Sequence, residues 1–218
     1  EISNFIKSYH EKMGVEFRLN TIAERIEPID NGVSISLSDG KCSNPDFVVI
    51  GVGVQAASSI AEDAGIDCSN GILVDETCLT NDKNIYAAGD CVNYYFSRYG
   101  ARRRLESVQN AIDQAAIVSS SILGEPIVYN AIPWFWSEQY DLKLQIAGLS
   151  EDADLIAIRG NMDDFKFSAC HFKDNKLIAV ECVNDQKTFM LGKKLIEAHS
   201  NITPDAIENT KTNLKDWL

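Results

Sequence analysis

The sequence has no Cys-x-x-Cys pair, and its six cysteines lie at least ten residues apart. That spacing excludes a zinc ribbon and a local redox dithiol. Only three histidines are present, and they are scattered, so no metal-ligating cluster is expected. No apolar run approaches the roughly 18 residues that span a bilayer, and no basic start followed by an apolar core marks a signal peptide. Positive charge is scarce as well. Lys plus Arg number 20 against 32 Asp plus Glu, a net charge of −12. A surface of that sign repels nucleic-acid phosphates and anionic membranes, so neither partner is expected. Hydrophobic residues at 45% and charged residues at 24% do describe an ordinary globular chain. A reduced, cytoplasmic protein with mostly buried thiols is the expectation.

Ile2, Phe5, Ile6, Tyr9 and Met13 fall at helical spacing, and Gly14 stands where a C-terminal cap belongs. The sequence opens at Glu1 directly into this helix with no initiating methionine, so it is expected to be a segment of a longer chain. Val15–Leu19 alternates as a strand does. Asn31-Gly32 predicts a hairpin between 22–29 and 33–37, with Asp39-Gly40 as a second turn. The run Phe47-Val48-Val49-Ile50 predicts a strand buried on both faces, ending in Gly51-Val52-Gly53. A short helix over 56–64 and a strand at Ile72-Leu73-Val74 follow. Asn84-Ile85-Tyr86-Ala87-Ala88-Gly89-Asp90 predicts a strand that delivers a glycine turn. A long helix over 105–123 ends at Gly124, before Pro126. Beyond a boundary placed near 126 the chain alternates strands with tight turns, then ends in helices near 188–199 and after Pro204.

Gly89-Asp90 carries the most specific local chemistry. A glycine lets backbone approach a ligand, and a carboxylate accepts from a sugar or ribityl hydroxyl. An aspartate capping the next helix is the other reading of the same residue. Trp134 and Trp136, two apart on a strand, read either as walls of a ring-binding slot or as packing residues. The cluster Arg98, Arg102, Arg103 and Arg104 reads either as a docking patch for an acidic protein or as a solvated loop.

The stretch Thr80…Asn84–Asp90 resembles the second flavin-binding motif of the pyridine-nucleotide-dependent flavoprotein reductases with two dinucleotide-binding domains. Phe47–Gly53, Gly71–Asp75, Arg104–Ala111, and Pro133–Gln139 with Ile146–Leu149 are similar to further segments of that family, in the same order. The last two resemble the ferredoxin, rubredoxin and putidaredoxin reductase branch. The resemblance implies an α/β remnant of two Rossmann-like dinucleotide-binding domains followed by an α+β C-terminal domain with an antiparallel sheet. It assigns 1–53 to the second half of an NAD(P) domain, 54–125 to the second segment of an FAD domain and 126–218 to the C-terminal reductase domain.

By the same resemblance Gly89, Asp90, Ser107, Val108, Phe135 and Trp136 would hold FAD, and Gly53 and Glu106 would line the nicotinamide side. Gln55-Ala56 departs from the family after Gly53. No catalytic side chain and no metal ligand is implied. Electrons would pass from NAD(P)H through FAD to a ferredoxin- or rubredoxin-type iron–sulfur protein, and a homodimer is one possible assembly. The related readings are an NADH oxidase, a nitrite reductase subunit, an apoptosis-inducing-factor-like flavoprotein, or a cofactor-free module. Neither Gly-x-Gly-x-x-Gly phosphate cradle occurs in the sequence, so this chain alone is expected to bind flavin weakly or not at all. The bend at 89–90 and the strand at 133–137 are expected to form two walls of one flavin slot.

Overall fold

A computed structural model describes residues 2–218. The chain divides into two compact units, Glu1–Val54 and Gln55–Leu218.

In the first unit, helix α1 (Ile2–Lys12) buries Ile2 and Tyr9, seven residues and two turns apart on one face. Gly14 follows at φ +92°, the left-handed conformation that ends helices. Strands β1 (Ala23–Ile29), β2 (Gly32–Leu37) and β3 (Cys42–Ser43) form an antiparallel sheet in that order. Both predicted turns are present. Gly32 is required at its position, because a Cβ there would stand 2.6 Å from the Pro45 carbonyl oxygen.

Two predicted strands are absent from this unit. Val15–Leu19 is irregular, and the Val15 N–H donates to the His10 carbonyl at 3.0 Å, closing the helix end. Phe47–Ile50 is irregular and exposed rather than buried, with Phe47 at 75% and Val49 at 85% exposure. A strand forms only against a neighbour that takes its N–H and C=O groups, and no described residue pairs with either run.

The second unit contains two sheets. Strand β4 (Ile72–Val74) runs parallel to β5 (Val92–Phe96), which pairs antiparallel with β6 (Ala101–Arg104). A short helix, α2 (Ser59–Asp63), precedes them, and α3 (Val108–Ile122) follows. Their core is Ile72, Val74, Val92 and Ile117, with an aromatic cluster of Tyr94, Phe96 and Tyr129. The rings of Tyr94 and Phe96 lie 3.8 Å apart and those of Tyr94 and Tyr129 5.0 Å apart. The predicted strand at 84–90 shrinks to one bridge between Leu79 and Tyr86. Asp82 Oδ1 accepts the Asn84 N–H at 2.8 Å and folds the segment into a turn. The sheet strand comes just after Gly89-Asp90, at β5.

The second sheet is antiparallel in the order β7 (Trp134–Gln139), β8 (Leu142–Gly148), β11 (Lys176–Val183), β10 (Lys166–Lys173), β9 (Leu155–Asn161). One face packs on α4 (Gln186–Glu197) and α5 (Pro204–Glu208), burying Phe172, Val180, Phe189, Leu195 and Ile207. Asp174 and Asn175, at φ +48° and +59°, make the hairpin turn that their residue types favour. Helix α4 approaches β11 closely at Gly192, where a Cβ would stand 2.7 Å from Val180 Cγ1. The Arg159 guanidinium donates to four carbonyls, those of Ile207, Asn209, Thr210 and Thr212, at 2.8–3.1 Å, and ties the C-terminal segment to β9. No helix among the described residues is long and apolar enough to cross a membrane.

Candidate functional site

Helix α3 has a well-built start. Ser107 is extended (φ −148°, ψ 144°), and its hydroxyl oxygen accepts the Asn110 N–H at 3.2 Å. This is the geometry of an N-cap. The helix runs 15 residues, so the free amides of its first turn carry a substantial positive dipole end. Two buried amides on its inner face, Asn110 and Gln114, lie one turn apart. Asn110 Nδ2 donates to the Leu105 carbonyl at 3.2 Å, and its Oδ1 accepts the Tyr129 hydroxyl at 3.1 Å. Gln114 Oε1 accepts the Gly89 N–H at 2.8 Å. Burial pushes the Tyr129 phenol well above its ordinary range, so it stays a proton donor to Asn110.

A cavity of about 240 Å³ opens at this helix start. Arg104 to Ser107 line one side, Pro133 to Phe135 another, and Gly148-Leu149 a third. The Gly148 N–H donates to the Pro133 carbonyl at 2.9 Å, fixing the entry of β7 against the end of β8. Gly148 has φ +84°, and a Cβ there would fall 2.1 Å from the Ile178 carbonyl oxygen, so only glycine fits.

The structure thus brings three expected site residues, Glu106, Ser107 and Phe135, to one cavity. Val108 is the first residue of α3, with a 62% exposed side chain. Gly89 is buried at φ +92°, where a Cβ would come within 3.7 Å of the Ala111 Cβ. Asp90 is exposed and starts no helix, so it is not a cap. Asp90 does not line the cavity but is joined to its rim through Arg104. The Arg104 guanidinium donates to the Asp90 carbonyl at 3.0 Å and contacts the Glu106 carboxylate.

Trp136 also lies off the cavity. Trp134 lines it instead, and the two indoles stack with centroids 5.6 Å apart. Trp134 further touches the Phe189 ring at 5.8 Å, with Lys193 Nζ 5.4 Å over its own ring. Strand alternation puts Phe135 on the opposite face from both tryptophans. Gly53, in the Glu1–Val54 unit, is exposed at φ +89° with open space where a Cβ would be.

The arginines are not a solvated loop. Arg102 to Arg104 lie in β6, and Arg102 Nη1 donates to the carbonyls of Val74 and Asn93 at 3.1 and 3.0 Å. Arg103 pairs with Glu151 at 2.9 Å. Arg104 and Asn110 thus work as supports of the cavity and Gln114 as the support of Gly89, roles missed from the sequence. The available signal was polar residues at inward positions of an otherwise amphipathic helix.

Residues 1–115 match the pyridine nucleotide-disulphide oxidoreductase family, and residues 134–218 match the reductase C-terminal family. The chain is 37% identical over 215 residues to rhodocoxin reductase of Rhodococcus erythropolis, covering 98% of this chain and 50% of that protein. It is 31% identical over 220 residues to putidaredoxin reductase CamA of Pseudomonas putida, covering 100% of this chain and 52% of the relative. Among solved structures, the ferredoxin reductase for the CYP199A2 system from Rhodopseudomonas palustris superposes with a TM-score of 0.95 at 38% identity, over 99% of this chain and 54% of that one. The covalent putidaredoxin reductase–putidaredoxin complex superposes with a TM-score of 0.94 at 31% identity, over 99% of this chain and 52% of that one. The chain spans about half the length of the curated relatives it matches. An α/β first part, an antiparallel reductase-type sheet and these matches together place it: the chain belongs to the pyridine nucleotide-disulphide oxidoreductase family.

Proposed function

We propose that this chain supplies the flavin-ring wall and the C-terminal domain of an FAD-dependent reductase that takes electrons from NAD(P)H and delivers them to a ferredoxin- or rubredoxin-type iron–sulfur protein. In this reading 1–53 belongs to the nicotinamide domain, 54–125 to the FAD domain and 126–218 to the C-terminal reductase domain. One observation carries it: the start of α3 and the Pro133–Phe135 strand, far apart in sequence, close on a single cavity. Its 240 Å³ falls below the roughly 300–1,000 Å³ that enclose a whole small ligand. That size fits one ring system of a larger cofactor better than a complete dinucleotide.

The residues present suit a flavin ring. Pro133, Trp134 and Phe135 offer an apolar wall that excludes water, and the capped start of α3 offers free backbone amides beside it. Amides at a helix start stabilise negative charge that develops next to them. Flavin, when bound, supplies hydride acceptance and the release of electrons one at a time. Ser107 and Val108 would present the amides, Phe135 would wall the ring, and Gly89-Asp90 would hold the ribityl and pyrophosphate region. Arg104 fixes the Asp90 backbone and the Glu106 carboxylate together, so the 89–90 bend and the nicotinamide-side Glu106 move as one piece. Gly53 would approach the nicotinamide.

The ferredoxin-type acceptor is favoured by the relatives above, which are named as reductases of a ferredoxin, of rhodocoxin and of putidaredoxin. Steady-state turnover of the full-length protein with NADH or NADPH against ferredoxin, oxygen and a small disulfide tests the reading. Ferredoxin is expected to be reduced fastest. Faster turnover with oxygen or a disulfide would assign the chain to an oxidase or disulfide reductase instead.

A further inference from the structure

A second cavity, of about 220 Å³, lies away from the flavin wall, between the 3-10 turn Ser97–Tyr99, the start of β11 and the end of α4. Three nitrogen-bearing side chains face it, Arg98, Lys176 and His199, and no carboxylate lines it. This is a local reversal of sign on a chain of net charge −12. Charges on the far surface are screened beyond about 8 Å at physiological salt, so a small ligand here meets the local cations first.

Arg98 is half-buried; Glu151 and Asp152 line an adjoining cavity with it, but no Asp or Glu lies within ion-pair distance of it among the described residues. Part of its guanidinium is accounted for. Nη1 donates to the Ile196 carbonyl at 3.3 Å, at the end of α4, and stands 3.1 Å from His199 Nε2. The helix end supplies only about half a negative charge, which leaves the guanidinium incompletely neutralised. Its Nε is buried and has no partner among the described residues. A buried donor of a charged group without an acceptor is costly, and such groups normally meet a counter-ion. Leu177, Ile178 and Ile196 also line it and give it an apolar part.

We propose that this cavity binds a small organic carboxylate. The planar guanidinium of Arg98 and the Lys176 ammonium would take the carboxylate, and the apolar part would take the hydrocarbon body. A planar carboxylate matches the arginine fork, and an apolar lining favours an organic anion over a fully hydrated inorganic one. The site needs nothing from the flavin cavity, so its failure would leave the redox assignment standing, and the converse also holds.

Titration calorimetry at fixed ionic strength, with benzoate and inorganic phosphate as probes, tests the proposal on the chain itself. Saturable benzoate binding is expected, tighter than phosphate. Arg98→Gln is expected to weaken it about tenfold or more, the scale of one lost charge-assisted contact. Arg98 also caps α4, so Lys176→Ala provides the variant that touches no helix end; a several-fold loss is expected at an unchanged urea midpoint. Lys143→Ala, at the other end of the sheet from Lys176, should change nothing. Absence of saturable benzoate binding, or an affinity indifferent to both Arg98→Gln and Lys176→Ala, would overturn the site. Phosphate binding as tightly as benzoate would overturn the assignment to an organic carboxylate.

Discussion

Asn110 is the residue whose removal should report most directly on the support of the cavity at the start of α3. It is 3% exposed and joins two segments that the sequence holds apart, the Leu105 carbonyl at the cavity rim and the Tyr129 hydroxyl in the aromatic core. Asn110→Leu keeps the volume but strips both partners. The Tyr129 hydroxyl, on a residue 5% exposed, is then buried unpaired, at a cost of about 1–3 kcal/mol. The Leu105 carbonyl is half-buried and recovers water in part, so the total loss should be about 2–4 kcal/mol.

Tyr129→Phe alone leaves Asn110 Oδ1 without its donor and should cost about 1–2 kcal/mol. In the Asn110→Leu background the same Tyr129→Phe change removes an unpaired hydroxyl and should cost nothing or restore stability. The coupling between the two positions is therefore expected at about 1–2 kcal/mol, well above the about 0.5 kcal/mol within which independent sites add. Urea titration followed by tryptophan fluorescence reads this unit alone, because Trp134, Trp136 and Trp217 all lie in Gln55–Leu218. Additive losses, or an Asn110→Leu variant as stable as the parent, would refute the bridging role of this amide.

Two further outcomes follow from other buried polar groups. The neighbouring His171, its Nε2 3.4 Å away, together with the Ser150 hydroxyl that donates at 3.2 Å, holds the Glu181 carboxyl below its ordinary 4.5 despite burial. A lowered carboxylate contributes stability above its unfolded value and loses it as pH falls through the native one. The urea midpoint should therefore drop as pH falls below about 4.5, and Glu181→Gln should flatten that drop; an unchanged pH profile in the variant would reject the contribution. Arg159→Met should cost about 3–5 kcal/mol, since the two bonds to the part-buried Ile207 and Thr212 carbonyls are charge-assisted while the exposed carbonyls regain water. Limited proteolysis should then cut within 209–213 much faster than in the parent, and equal cleavage rates would show the segment is held by other means.

Local periodicity and turn chemistry made much of the fold legible. The hairpin at Asn31-Gly32, the turn at Asp174-Asn175 and the long helix ending at Gly124 rest on interactions within a few residues, and the strands between 134 and 183 showed in their alternation, although β8 finds its second neighbour only at β11. Such interactions are encoded where they act. The strands expected at Val15–Leu19 and Phe47–Ile50 failed for the opposite reason, since apolar alternation specifies a willing strand but not the neighbour it must pair with.

The candidate site divides along the same line. Resemblance to the flavoprotein reductases singled out Ser107 and Phe135 for the flavin and Glu106 for the nicotinamide side, and the Ser107 cap is a local signal. Only the tertiary structure decided that Trp134 rather than Trp136 meets the cavity: the two share a strand face, and pairing of Trp134 with Ala147, beside Gly148, sets it at the cavity end of β7. It alone turned three arginines of an apparent surface cluster into ties to Val74, Glu151 and Asp90, and left Arg98 without a carboxylate at ion-pair distance. Charge composition is additive and can be counted along the chain, whereas the partner of each charge depends on distances that exist only once the chain has closed on itself.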